Sequence, residues 1–138
     1  MTQVIRSPQD IRKLRVTQSQ KGSTVGFVPT MGALHSGHLE LIKRAKQEND
    51  LVFCSVFVNP AQFNDPKDLE KYPRTFERDL SLLDSVGTDF LFFPDYTDLY
   101  PDGYKYRVTE NELSKRFCGA HRPGHFDGVL SVVLKLFG

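Results

Sequence analysis

Tryptophan is absent from this 138-residue chain, and cysteine and methionine occur only twice each. Two cysteines, Cys54 and Cys118, cannot build the disulfide framework on which small secreted domains rely, so a reducing cytoplasm is the expected compartment. No apolar run approaches the ~20 residues required to span a bilayer. The opening Met1-Thr-Gln-Val-Ile-Arg6 has neither the apolar stretch nor the small-residue cleavage site of a signal peptide, so no membrane role is expected. Charge of one sign is lacking as well. The 18 Lys and Arg stand against 17 Asp and Glu, a formal net charge of +1, which argues against a nucleic-acid partner. Internal repeats and low-complexity tracts are missing. What is present, 39% hydrophobic and 25% charged residues, suits one domain with a real core.

The local pattern alternates between strands and helices. Ser7-Pro-Gln-Asp10 reads as a helix start, with Ser7 as N-cap, Pro8 preset for the first helical position and Asp10 at the positive end of the dipole. Ile11 and Leu14 supply its apolar stripe, and Lys21-Gly22-Ser23 ends it. Residues 24–28 form a short apolar run predicted to be a buried strand stopped by Pro29. From Gly37 the spacing of Leu39, Ile42 and Ala45 predicts an amphipathic helix, and the nearly continuous apolar run 51–58 predicts a strand covered on both faces. A long loop with at most one helical turn follows Asn59-Pro60. Thr75 is placed to cap a helix with apolar positions Phe76, Leu80 and Leu83, closed by Gly87, before a third strand at 89–93. A short strand at 104–108, one or two helical turns from Glu112 to Cys118, a turn-rich loop at 122–128 and, from Val129, an apolar run that suits a buried helix or a strand and is read as helix complete the reading. The βαβαβ order predicts an α/β chain: a Rossmann-like open parallel sheet with helices on both faces, incomplete at its C-terminal end.

The segment that carries chemistry is Pro29-Thr-Met-Gly-Ala-Leu-His-Ser-Gly-His38. It leaves the first core strand and opens the following helix, the place where such sheets bind phosphates with backbone N–H groups and the positive helix end. His35 and His38, three positions apart, fall on one side of the helix entry. Gly32 and Gly37 allow close backbone approach, and Gly37 is expected to leave room for an adenine ring. The arrangement suits a nucleoside triphosphate whose leaving pyrophosphate is stabilised by imidazole N–H donors. Elsewhere, Cys118, His121 and His125 have spacing that a metal would accept. A closed site needs a fourth ligand, so no metal site is expected, and Arg122 and His125 are read instead as lining or bracing a substrate pocket.

The run Val28-Pro-Thr-Met-Gly-Ala-Leu-His-Ser-Gly-His-Leu39 resembles the ATP-binding signature of the pantoate–β-alanine ligases (pantothenate synthetases), in the His-x-Gly-His nucleotidyltransferase-like superfamily. Phe57-Val-Asn-Pro-Ala-Gln-Phe63, Tyr72-Pro-Arg-Thr75, Arg122-Pro-Gly-His-Phe-Asp-Gly-Val129 and Lys135-Leu-Phe137 resemble further segments of that family, in order. The resemblance implies condensation of pantoate with β-alanine using ATP and Mg²⁺, through an enzyme-bound pantoyl adenylate. It implies that Met31, Gly32, Ala33, Leu34, His35, Ser36, Gly37 and His38 line the ATP site, with His38 as proton donor and His35 its partner on the phosphates. Gln62 would hold pantoate near β-alanine, with Asn59 beside it and Thr30, Arg122 and His125 as further candidate substrate contacts. The family continues with a Gly-Glu-Lys-Asp segment, a Ser-Ser-Arg loop and a smaller C-terminal domain, none of which this sequence contains. On that resemblance, residues 1–138 are expected to be the N-terminal ATP- and pantoate-binding domain of an enzyme that acts as a homodimer, inactive or weakly active alone. Two other readings stay open: a nucleotidyltransferase of the same fold, and a nucleotide- or pantoate-binding fragment without turnover.

Overall fold

The computed structural model describes residues 1–63, 65–105, 108, 110, 112 and 125–137. The chain forms two compact units, the first built from Met1–Phe57 with Pro73–Asp95 and the second from Val58–Tyr72 with Tyr96–Gly138. The first holds strands β1 (Gln3–Ile5), β2 (Val25–Thr30), β3 (Leu51–Val56) and β4 (Phe90–Phe92), with helices α1 (Pro8–Gln20) and α2 (Ser36–Glu48). The strands make one parallel sheet in the order β1-β4-β3-β2. The second unit holds a 3-10 turn at Pro60–Gln62 and helix α3 (Pro66–Lys71). The first unit then contributes α4 (Phe76–Ser85), and the second ends with α5 (Tyr96–Leu99) and α6 (His125–Phe137).

The sheet follows from the pattern, with three corrections. Strand β1 was not foreseen: three residues are too few to show an alternation, and they become a strand because Val4 pairs with Leu91. Strand β2 does not stop at Pro29 but continues through it, Pro29 pairing with Ser55 and Thr30 with Val56. It is an edge strand, so the missing proline N–H costs the sheet no ladder bond on its open side. The long loop after Asn59 is largely helical, because Asp65 caps α3 by accepting from Lys67 N–H at 2.9 Å, with Pro66 at the first position. The strand expected at 104–108, the turns at 112–118 and the sites on Cys118, His121 and Arg122 fall wholly or partly outside the described residues.

Burial is continuous from Val52 to Phe57, as expected for a strand covered on both faces. Val52, Cys54 and Val56 form the core with Val28, Leu91, Ile42 of α2 and Leu83 of α4, while Phe53 meets Phe90 with ring centroids 4.8 Å apart. Leu34, from the segment singled out above, joins the same cluster and is 1% exposed. No helix among the described residues is long and apolar enough to cross a membrane.

Candidate active site

The connection from β2 to α2 is a tight turn with Gly32 at φ +83° and Ala33 at φ +50°. A side chain on Gly32 would sit 3.0 Å from Val56 Cγ1 and 3.1 Å from Asp79 Oδ2, so at this positive φ any other residue is both strained and crowded. Ala33 has no such exemption, and a left-handed alanine persists only where its surroundings hold it. The holding group is Asp79, 1% exposed. Its two carboxylate oxygens accept from Ala33 N–H and Leu34 N–H, both at 2.9 Å, and from the Thr75 hydroxyl at 3.2 Å. Arg78, the preceding residue of α4, donates to Leu34 C=O at 2.9 Å. Thr75 therefore starts α4 without capping it, its hydroxyl turned to Asp79 instead. Asp79 was missed in the sequence, although a signal was there: it lies on the apolar stripe between Phe76 and Leu83, where a carboxylate is out of place unless it has partners.

The two histidines close the turn. His35 is the N-cap of α2: its Nδ1 accepts from Gly37 N–H at 3.0 Å, while its own N–H donates to His38 Nδ1 at 3.2 Å. The rings lie together, centroids 4.1 Å apart and tilted by 42°. Because a backbone N–H only donates, each neutral ring must carry its proton on Nε2. The result is a pair of Nε2–H donors side by side at a helix N-terminus.

Of the backbone N–H groups expected to face a phosphate alongside the imidazole donors, those of Gly32, Ala33, Leu34, His35 and Gly37 are bonded inside the turn, to Thr30, Asp79, His38 and His35. At Gly37, expected to leave room for an adenine, the missing side chain makes way for the neighbouring His35 ring: a Cβ there would meet its Cε1 at 2.8 Å. Thr30 is likewise engaged, donating to Ser55 C=O at 2.9 Å and accepting from Gly32 N–H at 3.1 Å. Leu34 turns its side chain into the core, and what faces outward from this segment is chiefly His35, Ser36 and Gly37, with His38 half-buried.

Burial lowers the His38 pKa below the ordinary 6.5, the neighbouring His35 adds to the effect, and Asp79 opposes it. The fold thus favours the neutral ring. As pH falls below 6.5 the unfolded chain takes up this proton before the folded one does, so His38 withdraws stability on acidification until the lower folded pKa is passed. In the ligand-free chain the NMR titration midpoint of His38 is expected below 6.5; a midpoint at or above that value contradicts the assignment.

In the second unit the candidates converge on Gln62, which is 8% exposed. His125, the first residue of α6, donates from Nδ1 to Gln62 C=O at 2.9 Å. Asn59, fully buried, donates from Nδ2 to Gln62 Oε1 at 3.0 Å and to Gly128 C=O at 3.1 Å. Helix α6 begins at His125 and so includes residues read as loop. Gly128 belongs to its first turn, where the missing side chain lets α6 approach the backbone of Ala61 and Gln62. Tyr100, also unforeseen, donates its hydroxyl to Asn59 Oδ1 at 2.9 Å. Arg122 lies outside the described residues.

Among the described residues no group of three His, Cys, Asp or Glu is placed to hold a metal ion. Asp79, the carboxylate nearest the histidine turn, has both oxygens engaged. Cys54 is buried in the core, and burial pushes its thiol up to about 12, with no thiolate available for coordination.

A family model described as pantoate-beta-alanine ligase matches residues 3–138. The chain belongs to the pantoate–β-alanine ligase family. It is 64% identical over 137 residues to the pantothenate synthetase of Bdellovibrio bacteriovorus, covering 99% of this chain and 53% of that protein. Among solved structures, the pantothenate synthetase of Thermus thermophilus superposes with a TM-score of 0.86 at 46% identity, over 99% of this chain and 48% of the other. The pantoate-beta-alanine ligase of Francisella tularensis, described as complexed with beta-gamma ATP and beta-alanine, gives a TM-score of 0.89 at 44% identity, over 99% of this chain and 52% of that one. The chain therefore spans about half the length of the curated pantoate–β-alanine ligases it matches.

Proposed function

We propose that these 138 residues are the nucleotide- and pantoate-binding part of an AMP-forming ligase that joins pantoate to β-alanine. In this reading a pantoate carboxylate oxygen attacks the α-phosphorus of ATP, and the bond to the bridging oxygen breaks to release pyrophosphate. The β-alanine amine then attacks the acyl carbon of the pantoyl adenylate, loses a proton and expels AMP. The observation that carries the reading is the pair of Nε2–H donors on His35 and His38. Such donors stabilise the charge that grows on the departing pyrophosphate, and they need no reorganisation because both rings are already fixed. Gln62 is assigned to pantoate. Met31, Ser36 and Gly37 complete the nucleotide site, while Thr30, Ala33, Leu34, Asn59 and His125 serve it or the pantoate site by holding other residues in place.

Magnesium enters this scheme as part of the MgATP substrate. The donor set of the described residues does not fit a resident ion, since the carboxylate nearest the histidine turn is engaged, and no step is assigned to such an ion.

The test is pantoate-dependent ATP–pyrophosphate exchange on the 138-residue chain, alongside direct binding of each ligand. ATP and pantoate are expected to bind without exchange. Exchange indifferent to pantoate would transfer the site to nucleotidyltransferase chemistry, and failure of both ligands to bind would end the proposal. His38→Ala is expected to weaken ATP binding about ten- to hundredfold, the range for losing a donor to a charged acceptor, while costing only about 1 kcal/mol of stability for the lost cap. Bound triphosphate is further expected to raise the His38 titration midpoint above its ligand-free value, the opposite direction to burial. An unchanged midpoint would remove the phosphate contact.

A further inference from the structure

Asn59 has every hydrogen-bonding position of its amide in use. Ala61 N–H, which only donates, lies 3.3 Å from Oδ1, and Gly128 C=O, which only accepts, lies 3.1 Å from Nδ2. These two backbone groups allow the amide a single orientation. Its remaining Nδ2 hydrogen then faces Gln62 at 3.0 Å, so Gln62 must present Oε1 to it. Its Oδ1 faces Tyr100 at 2.9 Å, so the tyrosine hydroxyl must donate. The Tyr100 ring is held by stacking on Tyr96 with centroids 5.0 Å apart, by the edge of Tyr104 at 5.4 Å and by Lys135 Nζ 5.0 Å above it. Burial, then the nearby Tyr104, raises the Tyr100 pKa far above its usual value, so the proton that the bond requires stays in place. With Oε1 taken by Asn59, the Nε2 hydrogens of Gln62 point away from it, and among the described residues nothing accepts from them.

We infer that Tyr100 is a positioning residue which, through Asn59, locks Gln62 with its amide hydrogens outward, so that this position selects ligand oxygen atoms that accept and rejects ammonium groups. The inference deepens the proposed function and rests on it for the ligand: pantoate offers a carboxylate and hydroxyl oxygens, whereas the ammonium of β-alanine finds no acceptor on Gln62. The orientation itself rests on backbone polarity alone and stands or falls separately.

The experiment follows the side-chain amide signals of the ¹⁵N-labelled 138-residue chain. Without ligand, the Asn59 amide is expected to exchange its hydrogens slowly and the Gln62 amide rapidly. Tyr100→Phe, which keeps the packed ring, should speed Asn59 exchange about five- to tenfold, the loss of one buried hydrogen bond. A Gln62 amide as protected as that of Asn59, or Asn59 exchange indifferent to Tyr100→Phe, overturns the inference. With pantoate added, the Gln62 amide signals should move, and Tyr100→Phe should weaken pantoate about five- to tenfold while leaving ATP affinity unchanged. Gln62→Glu keeps an acceptor toward Asn59 but places an anion outward, so it should lose pantoate more than about a hundredfold. Wild-type affinity in Gln62→Glu overturns the inference. If pantoate leaves the wild-type spectrum untouched, the proposed function fails, and the ligand-free exchange still decides the orientation.

Discussion

Asp79→Ala should destabilise the chain by about 3–4 kcal/mol and abolish ATP binding. The carboxylate is the shared acceptor of two backbone N–H groups and one hydroxyl. Leaving a buried donor without a partner costs about 1–3 kcal/mol each, so the two amides alone account for most of the loss. Ala33 would also lose the contact that holds it at φ +50°, and the turn would relax toward an ordinary backbone conformation. The histidine pair stands directly after that turn, so its donors would no longer be aligned. Asp79→Asn separates the two consequences: one oxygen still serves one amide, while the new amino group opposes the other. A loss of about 1–2 kcal/mol is expected, with ATP binding impaired beyond what stability explains. Denaturant titration gives the first quantity and calorimetric titration the second. A wild-type transition in Asp79→Ala would show that the turn does not depend on its clamp.

Gly128→Ala should be nearly as damaging, though alanine is the better helix former by about 1 kcal/mol. A Cβ at this position would lie inside contact distance of Ala61 C=O and 2.7 Å from Gln62 N. These are backbone atoms of the 3-10 turn and cannot swing aside, so α6 must move. Overpacking of this kind costs about 1–3 kcal/mol or more, exceeding the helix gain. The movement also takes Gly128 C=O away from Asn59, on which the Gln62 amide depends. Pantoate affinity is therefore expected to fall sharply while ATP affinity is kept, since the histidine turn belongs to the first unit. Equal loss of both ligands would mean global unfolding, distinguishable by the amide spectrum. An unaltered pantoate affinity would rule out the packing argument.

The elements legible beforehand were those whose cause is local. Helix α2 follows from the spacing of Leu39, Ile42 and Ala45, α1 from Ser7 accepting the Asp10 N–H, and β3 from its unbroken apolar run. The histidine pair also came from spacing, since positions three apart share a helix face. What escaped had its cause elsewhere in the chain. Val4 becomes strand because Leu91 lies beside it, and Pro29 stays in its strand because that strand lies at the edge. Gly128, whose flexibility suggested a loop, lies inside a helix because the 3-10 turn packs where its side chain would be.

The sequence by itself determined the α/β alternation and the position of the histidine motif after a core strand, because periodicity and capping act over a few neighbouring residues. It also carried the family, through motifs kept in order along the chain. Only the tertiary structure decided which N–H groups of that motif are bonded within the turn and which way the Gln62 amide points. Those outcomes depend on partners 46, 45 and 69 positions away in the chain, Asp79 to Ala33 and Leu34 and Gly128 to Asn59. A hydrogen bond of that reach exists only after packing has brought its two ends together, and no local pattern records it.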